Sequence, residues 1–191
     1  QSSRFLMNYL VEECEHCHFC HYDISKKISG IDKTYIHSEE FTTLYDKLKV
    51  KKRDDDGGYN DEDRGNATKF LVAAFLNMKT HHYQEASYYF LHAIWALDDL
   101  GYEQEAALYR KRYLEVDALR KGAKDINRIL IALDIKRRLG YFEEVIYKIN
   151  NMNITKETDD FHKNILKFQK RLASLKDNKC HSIQEIMGVE K

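Results

Sequence analysis

The chain has 191 residues, of which 31 are basic and 31 acidic, so its formal net charge at neutral pH is zero. A neutral chain has no overall field that draws it toward nucleic acid or an anionic membrane surface, which disfavours both as partners. No apolar run approaches the roughly 18 residues that a membrane-spanning helix requires. The length is sufficient for one domain with a substantial core, or for a small domain with an appendage.

Proline is absent from the chain, whereas an average usage of about 5% would give roughly nine. Proline is costly inside helices but frequent in loops and turns. Its absence therefore indicates long helices with very short connections, and we predict an all-α fold.

Residues 1–53 are predicted to form a small segment rich in cysteine and histidine, with a short helix. The apolar run 5–11 has the character of a short strand. Further on, Ser38 precedes four apolar residues spaced three or one apart. This spacing predicts a short helix with a serine cap, whose apolar face is formed by Phe41, Leu44, Tyr45 and Leu48.

Between the strand and that helix, residues 14–21 contain three of the four cysteines and three of the nine histidines. Thiolates spaced in this way on a tight turn can converge on one tetrahedral ion, as in structural zinc sites. We predict a zinc site in which Cys17 and Cys20 form the chelating turn. The ligands assigned to it are Cys14, Cys17, Cys20 and His21, although the local spacing does not display a complete four-ligand set.

Two other interpretations of the cysteine cluster remain open. Its spacing, together with the remote Cys180, is similar to that of bacterial ferredoxins, which would indicate an iron–sulfur cluster, but the usual Cys-Pro continuation is missing. The cysteines could also be free thiols on a small apolar turn.

A cluster without a second cysteine-rich segment is typical of a metal site in a reducing compartment, so we expect the protein in the cytoplasm. No signal peptide precedes the cluster, although the sequence begins at Gln1 rather than Met.

Residues 54–66 are acidic and contain glycine, and we predict that they form an exposed linker. The alternation of acidic residues from Asp54 resembles a calcium loop. An EF-hand requires glycine at position six and glutamate at position twelve, but here these positions are Tyr59 and Gly65. The linker is the preferred interpretation.

A helical domain is predicted over 67–176, followed by a polar tail at 177–191. Apolar residues repeat with a helical period in five stretches, 67–78, 86–100, 106–116, 126–139 and 142–149. Gly101 and Gly140 stand where helices end, and we expect a left-handed backbone at both. A heptad seam over 161–175 predicts a last long helix, through which two copies could associate.

Three helix starts in this domain share a local pattern: an aromatic residue, one or more acidic residues, and then a small or β-branched residue at Ala86, Ala106 or Val145. The pattern resembles the tetratricopeptide repeat (TPR), in which glycine ends one helix and alanine allows the next to pack closely. The positions lie 20 and 39 residues apart and so follow no strict 34-residue period. We predict a TPR-like, right-handed stack of helical hairpins.

Several polar residues in the helices are interpreted as surface features. The basic runs 110–112 and 136–138 lie close to acidic residues, which is typical of a solvated helix face. His92 is interpreted as a helix-flank residue. The aromatic residues between 88 and 102 are assigned mainly to packing between adjacent helices.

The sequence contains no P-loop, no nucleophile elbow, no metalloprotease motif and no dinucleotide fingerprint. We therefore predict a non-enzymatic scaffold that binds a protein or peptide, with a structural metal site at its N-terminal cysteine segment. The alternative is a metal- or thiol-dependent enzyme that uses Cys14, Cys17 and Cys20. A nucleic-acid binder is disfavoured by the zero net charge and by the lack of a continuous basic stripe.

The run Cys17–Asp23 resembles the second knuckle, of the CPxCGY type, of an uncharacterised bacterial family, domain of unknown function 2225. In that family the knuckle follows a short strand and precedes a TPR-like half, and residues 96–101 and 137–144 are similar to its helix ends. His18 and His21 stand where the family has proline and glycine, and its earlier cysteine pair is absent here. The resemblance implies a zinc knuckle and a TPR-like architecture, and it implies no activity.

Overall fold

The computed structural model describes residues 10–52, 61–122, 125–152 and 159–186. These residues are mostly helical, with one two-stranded sheet, which confirms the all-α prediction at the level of fold class. The chain divides into two compact units, Gln1–Arg120 and Lys121–Lys191, so the helical domain predicted over 67–176 extends across both. Most of the predicted strand, at 5–9, and the 54–60 part of the linker lie outside the described residues.

The first unit contains a small hairpin followed by helices. In chain order these elements are β1 (Glu12–Glu13), β2 (Cys20–His21), α1 (Lys33–Ile36), α2 (Glu39–Leu48), α3 (Asp61–Lys79), α4 (Tyr83–Asp99) and α5 (Glu103–Leu119). The predicted serine cap is confirmed, because the Ser38 hydroxyl accepts a hydrogen bond from the Phe41 N–H at 3.2 Å. Helix α3 begins at Asp61, so residues 61–66, which were assigned to the linker, are helical.

The core of the first unit lies along α4, which packs against both α3 and α5. Because it has a helix on each side, α4 is buried around most of its circumference, and Phe90, Ala93 and Leu97 have no more than a trace of exposed surface. Strand β2 also packs against α3, which places the cysteine hairpin on the same helical core. None of the helices in the described segments is long and apolar enough to cross a membrane.

The second unit contains α6 (Ile126–Arg138), α7 (Phe142–Asn150), α8 (Asp160–Ser174) and the short α9 (Ile183–Ile186). Helix α8 packs on both α6 and α7. The buried cluster between them consists of Leu130, Leu133, Val145, Ile149, Leu166 and Ala173.

The predicted heptad seam on α8 is partly buried within the second unit instead of being exposed along its whole length. Phe168 and Leu172 are buried within the unit, whereas Phe161 and Leu175 are 42% and 71% exposed. The buried face is centred on Leu166 and its neighbours rather than on the seam, because α8 has two helices to cover. The middle of the seam is therefore packed within its own unit.

Three turns between helices have one geometry. Each contains a residue in the left-handed region, with φ of 63° at His81, 71° at Gly101 and 81° at Gly140. The next residue donates its N–H to a carbonyl five positions earlier, for example from Tyr102 to Leu97 and from Tyr141 to Lys136, both at 2.9 Å. This is the Schellman arrangement that closes helix C-termini. The prediction for Gly101 and Gly140 is confirmed.

The sequence pattern that the three helix starts share, an aromatic residue followed by acidic and then small or β-branched residues, occurs directly after these three turns. Ala86, Ala106 and Val145 each lie five residues after the left-handed position and are completely buried. A small or β-branched side chain at this point lets the new helix approach the one it leaves. The repeated sequence pattern therefore corresponds to a repeated local structure.

Replacing Gly101 and Gly65 with alanine should change stability in opposite directions. At Gly101, an added Cβ meets nothing within 4 Å, so only the positive φ opposes it, and Gly101→Ala should cost about 1 kcal/mol. Gly65 lies in α3 with equally open space, and Gly65→Ala should stabilise by about 0.5–1 kcal/mol because alanine is the better helix former. Urea unfolding of the two variants measures both effects. The same sign for both would contradict the turn assignment.

Four polar residues that were interpreted as surface features are buried, and for them the interpretation is wrong. Arg110 and Arg137 are completely buried and Arg138 nearly so. The guanidinium of Arg137 and the two Nη atoms of Arg110 are paired with carboxylates and other acceptors, which makes their burial tolerable, while Arg110 Nε is buried without a hydrogen-bond partner among the described residues. His92 is also buried, with its ring against Phe70 and Trp95, and desolvation lowers the pKa of its imidazole. The aromatic residues near it belong mainly to the core, as predicted.

Candidate functional site

The cysteine cluster forms the turn of the β1–β2 hairpin. Glu13 pairs with Cys20 across the two antiparallel strands, so the intervening residues 14–19 must reverse the chain. The turn is closed by hydrogen bonds from the Cys14 N–H to the Phe19 carbonyl at 2.9 Å and from the His18 N–H to the Cys14 carbonyl at 2.8 Å. His18 has a φ of 59°, a conformation that residues with a Cβ rarely adopt.

Cys14 and Cys17 lie on this turn and are both partly exposed. Backbone hydrogen bonds from His16 and Cys17 lower the pKa of the Cys14 thiol. Burial raises the pKa of Cys17, an effect partly offset by the Phe19 N–H. Backbone donors directed at sulfur stabilise the thiolate, the form that binds metal.

Cys20 and His21 lie on β2 and are arranged differently. The Cys20 thiol is buried, donates to the His18 carbonyl at 3.3 Å, and has a pKa raised far above its ordinary value by desolvation. His21 is buried with its Nδ1 2.9 Å from the Asp23 carbonyl oxygen. Cys20 is therefore buried on β2, whereas Cys14 and Cys17 are partly exposed on the turn, and the predicted ligand set of Cys14, Cys17, Cys20 and His21 remains a prediction. In the part of the chain that the structure describes, no three His, Cys, Asp or Glu residues form a group that could hold a metal ion.

A small polar cluster fixes the cysteine turn to α2. Tyr45 donates from its hydroxyl to Glu13 Oε1 at 2.9 Å, and the same oxygen lies 2.8 Å from His18 Nδ1. The imidazole of His18 stacks on the Tyr45 ring with the centroids 4.0 Å apart. Burial, followed by the hydrogen bond to Glu13, raises the pKa of Tyr45, so the hydroxyl remains a donor. The turn is thus held in place by side chains outside the cysteine set.

A cleft of about 530 Å³ lies elsewhere in the first unit, between the end of α2 and helices α3–α5. Leu71 and Leu97 contribute apolar surface to it, and Tyr102 and Tyr109 contribute aromatic surface. Its polar lining is dominated by four exposed lysines, Lys47, Lys49, Lys51 and Lys52, with Asp46 and Glu105 as the acidic members. We call this set the lysine cleft.

The strand-like segment 49–52 that carries most of these lysines is held by the helices. Thr68 accepts a hydrogen bond from the Val50 N–H at 3.0 Å, and the Tyr102 hydroxyl donates to the Lys51 carbonyl at 3.2 Å. A second cavity of about 470 Å³ shares the same segment and adds Arg64 to its lining. Lys49, Lys51 and Lys52 therefore line both cavities, and the second also includes Glu13.

The four lysines of the cleft form no ion pair with any residue that the structure describes. Sequence reasoning missed this group, because the lysines precede a charged stretch that was assigned to a linker. The signal that was present is the near-alternation of lysine over 47–52. These lysines form part of a cleft because Tyr102 and Leu97 lie beside the same segment, and those two residues reach it only when helices α3–α5 pack together.

Comparisons of this chain with protein-family models, curated proteins and solved structures gave no match. The resemblance to domain of unknown function 2225 therefore remains a prediction. Functional inference rests on the cysteine turn and the lysine cleft themselves.

Proposed function

We propose that the protein is a non-enzymatic, TPR-like helical scaffold whose lysine cleft binds an acidic peptide segment of a partner protein. The observation that carries this proposal is the set of four exposed lysines, without ion-pair partners among the described residues, around an apolar and aromatic surface. The repeated turn geometry, with its buried small residues, supports the comparison to TPR hairpins.

The chemistry of the cleft favours a peptide over other anionic ligands. Each exposed lysine–carboxylate pair contributes less than about 1 kcal/mol, so useful affinity requires several pairs and additional apolar contact. A peptide with carboxylates and interspersed apolar side chains supplies both, the former to the lysines and the latter to Leu71, Leu97 and Tyr109. The continuation of basic surface along 49–52 suits an extended chain. Asp46 and Glu105, which also line the cleft, disfavour a densely charged nucleic acid.

Reversing two charges in the cleft should weaken this binding. The probe is a fluorescein-labelled ten-residue peptide of alternating glutamate and leucine, and its dissociation constant is measured by fluorescence polarisation at low salt. Lys49→Glu combined with Lys51→Glu should weaken binding by about tenfold or more, since it replaces attraction with repulsion.

The matched control exchanges the same number of exposed lysines elsewhere. Lys167→Glu combined with Lys170→Glu on α8 gives the same net charge and should leave the dissociation constant unchanged. Equal loss of binding in both variants would indicate a general charge effect. That result, or binding of a lysine–leucine peptide with similar affinity, would contradict the proposal.

The cysteine turn supports a second proposal, that Cys14 and Cys17 bind zinc as a structural ion. Two partly exposed cysteines three residues apart on one closed turn can provide two of the ligands that such an ion needs. Cys20 and His21, the other predicted ligands, have polar atoms directed to the carbonyl groups of His18, in the turn before β2, and Asp23, after it.

A further inference from the structure

The second cavity, which shares the segment 49–52 with the lysine cleft, has the stronger excess of basic residues in its lining. We propose that this cavity binds the phosphoryl group of a phosphorylated serine or threonine in the partner peptide, while acidic and apolar residues of the same peptide occupy the lysine cleft. This inference rests on the proposed peptide binding and deepens it by assigning the chemical class of the peptide.

The first step concerns the charge of the second cavity, whose volume is about 470 Å³. Four cationic residues line it, Lys49, Lys51, Lys52 and Arg64. Among the described residues of this lining, Glu13 alone is acidic, whereas both Asp46 and Glu105 line the lysine cleft. The second cavity therefore suits an anion of higher charge than the cleft does.

The second step concerns Glu13, the carboxylate that opposes an anion here. Its Oε1 accepts a hydrogen bond from the Tyr45 hydroxyl at 2.9 Å and lies 2.8 Å from His18 Nδ1. This carboxylate oxygen is thus engaged with side chains of α2 and of the cysteine turn. The four cations of the cavity outnumber it.

The third step concerns the wall between the two cavities. Thr68 accepts a hydrogen bond from the Val50 N–H at 3.0 Å and donates to the Arg64 carbonyl at 3.1 Å, which attaches the segment 49–52 to α3. The Tyr102 hydroxyl holds the same segment through the Lys51 carbonyl at 3.2 Å. A peptide that follows this segment passes both cavities within about four residues, since an extended chain advances about 3.3 Å per residue.

The fourth step concerns the anion itself. A phosphoryl group on serine or threonine carries a charge of about −1.5 to −2 at neutral pH and has three strong acceptor oxygens, so it exceeds a carboxylate in both respects. These oxygens can accept charge-assisted hydrogen bonds from several exposed lysines at once. Arg64, which is 5% exposed, adds a further positive charge to the wall. A peptide is favoured over free phosphate because one chain then makes the contacts of both cavities.

The experiment compares three kinds of fluorescein-labelled peptide by fluorescence polarisation with the full chain at low salt. All have the alternating glutamate–leucine sequence, in which one glutamate is kept, replaced by serine or replaced by phosphoserine. The replacement is made near either end in turn, so that both directions of binding are covered. At one of these positions, we expect the phosphoserine peptide to bind about tenfold more tightly than the glutamate peptide.

A variant of Gly65 tests where the phosphoryl group binds. Gly65 lines the second cavity rather than the lysine cleft, and an added Cβ meets nothing within 4 Å. Gly65→Leu adds bulk to the wall of the second cavity without a change of charge, and it should reduce the affinity ratio of the phosphoserine and glutamate peptides to near unity. Gly65→Ala adds a single carbon and should lower this ratio less. Circular dichroism of both variants checks that the helices are retained.

The outcomes separate this inference from the proposal on which it rests. Equal affinity for the phosphoserine and glutamate peptides at both positions would overturn the phosphoryl site and leave acidic-peptide binding intact. Failure of all the peptides to bind would overturn both. A phosphoserine gain that persists in full in Gly65→Leu would overturn the assignment to the second cavity.

Two further probes distinguish the sources of a phosphoryl group. Inorganic phosphate should compete poorly with the phosphoserine peptide, because it makes no contact in the lysine cleft. Vesicles of phosphatidylcholine containing phosphatidylinositol phosphates should also bind more weakly than the peptide. Tighter binding of either probe than of the phosphoserine peptide would overturn the inference, in favour of a free anion or a lipid headgroup.

Discussion

Replacing Arg137 with alanine should destabilise the second unit by about 3–5 kcal/mol, the cost typical of removing one partner from a buried charged network. Arg137 is completely buried on α6. Its Nε donates to Gln169 at 2.7 Å, one Nη to Asp134 at 2.7 Å, and the other Nη to the carbonyls of Asp177 and Lys179 at 2.7 and 3.0 Å. This one side chain therefore links α6, α8 and the segment that follows α8.

Truncation would leave both a cavity and unpaired acceptors. Gln169, itself buried, would lose a donor, and the carbonyls of Asp177 and Lys179 would lose theirs. Thermal unfolding and amide hydrogen exchange of α6 and α8 measure the effect. Lys163→Ala is the control, because its ion pair with Asp160 is exposed and its loss should cost less than about 0.5 kcal/mol. A cost below 1 kcal/mol for Arg137→Ala would show that the network is dispensable.

The Arg110→Ala variant should destabilise the first unit by a similar amount, about 3–5 kcal/mol. Arg110 on α5 is completely buried and pairs with Asp98, whose side chain is 4% exposed at the end of α4. It also donates to Glu103 at 2.6 Å, but Glu103 is 63% exposed. Loss of the arginine removes a guanidinium from the buried Asp98 carboxylate, whereas the Glu103 carboxylate is exposed to water.

Two further variants separate the contributions of these carboxylates. Glu103→Gln should cost less than about 1 kcal/mol, because its pairing is screened by solvent. Combining Arg110→Ala with Asp98→Ala should recover part of the loss, since the buried carboxylate is removed together with the guanidinium that it pairs with. Equilibrium urea unfolding of the four proteins completes the cycle. Strictly additive losses would contradict a direct interaction between Arg110 and Asp98.

The sequence was most informative where local chemistry determines structure. The helix ends at Gly101 and Gly140 were predicted, because only a residue that tolerates positive φ closes these turns easily. The start of α3 at Asp61 was missed, because its first turn is polar and contains Gly65, which conceals the helical period. The third turn was recognised only through Ala86, since His81 occupies the left-handed position that glycine holds in the other two.

Burial of the arginines could not be predicted from the chain alone. The basic runs at 110–112 and 136–138 have the composition of a solvated face, and Arg112 is indeed exposed. What distinguishes Arg137 is a glutamine 32 residues away, Gln169, that reaches it only after α6 and α8 have packed. The same residue type is therefore surface or core according to contacts that the local pattern does not contain.

The cysteine turn shows a different kind of ambiguity. The spacing Cys-x2-Cys occurs twice, as 14/17 and as 17/20, and spacing alone does not choose between the two pairs. The strand pairing of Glu13 with Cys20 places Cys20 on β2 and both Cys14 and Cys17 on the turn 14–19. The left-handed residue of that turn is His18 rather than a glycine.

The buried thiol of Cys20 gives the protein an internal reporter of its own local opening. It lies within a hairpin that also carries two partly exposed cysteines, so one short segment contains both shielded and accessible sulfur atoms. An alkylating reagent can reach the shielded atom only when β2 leaves α3, whereas the other two are available in the closed state. The ratio of the labelling rates within a single peptide is therefore a direct reading of how often the hairpin detaches from the helical core.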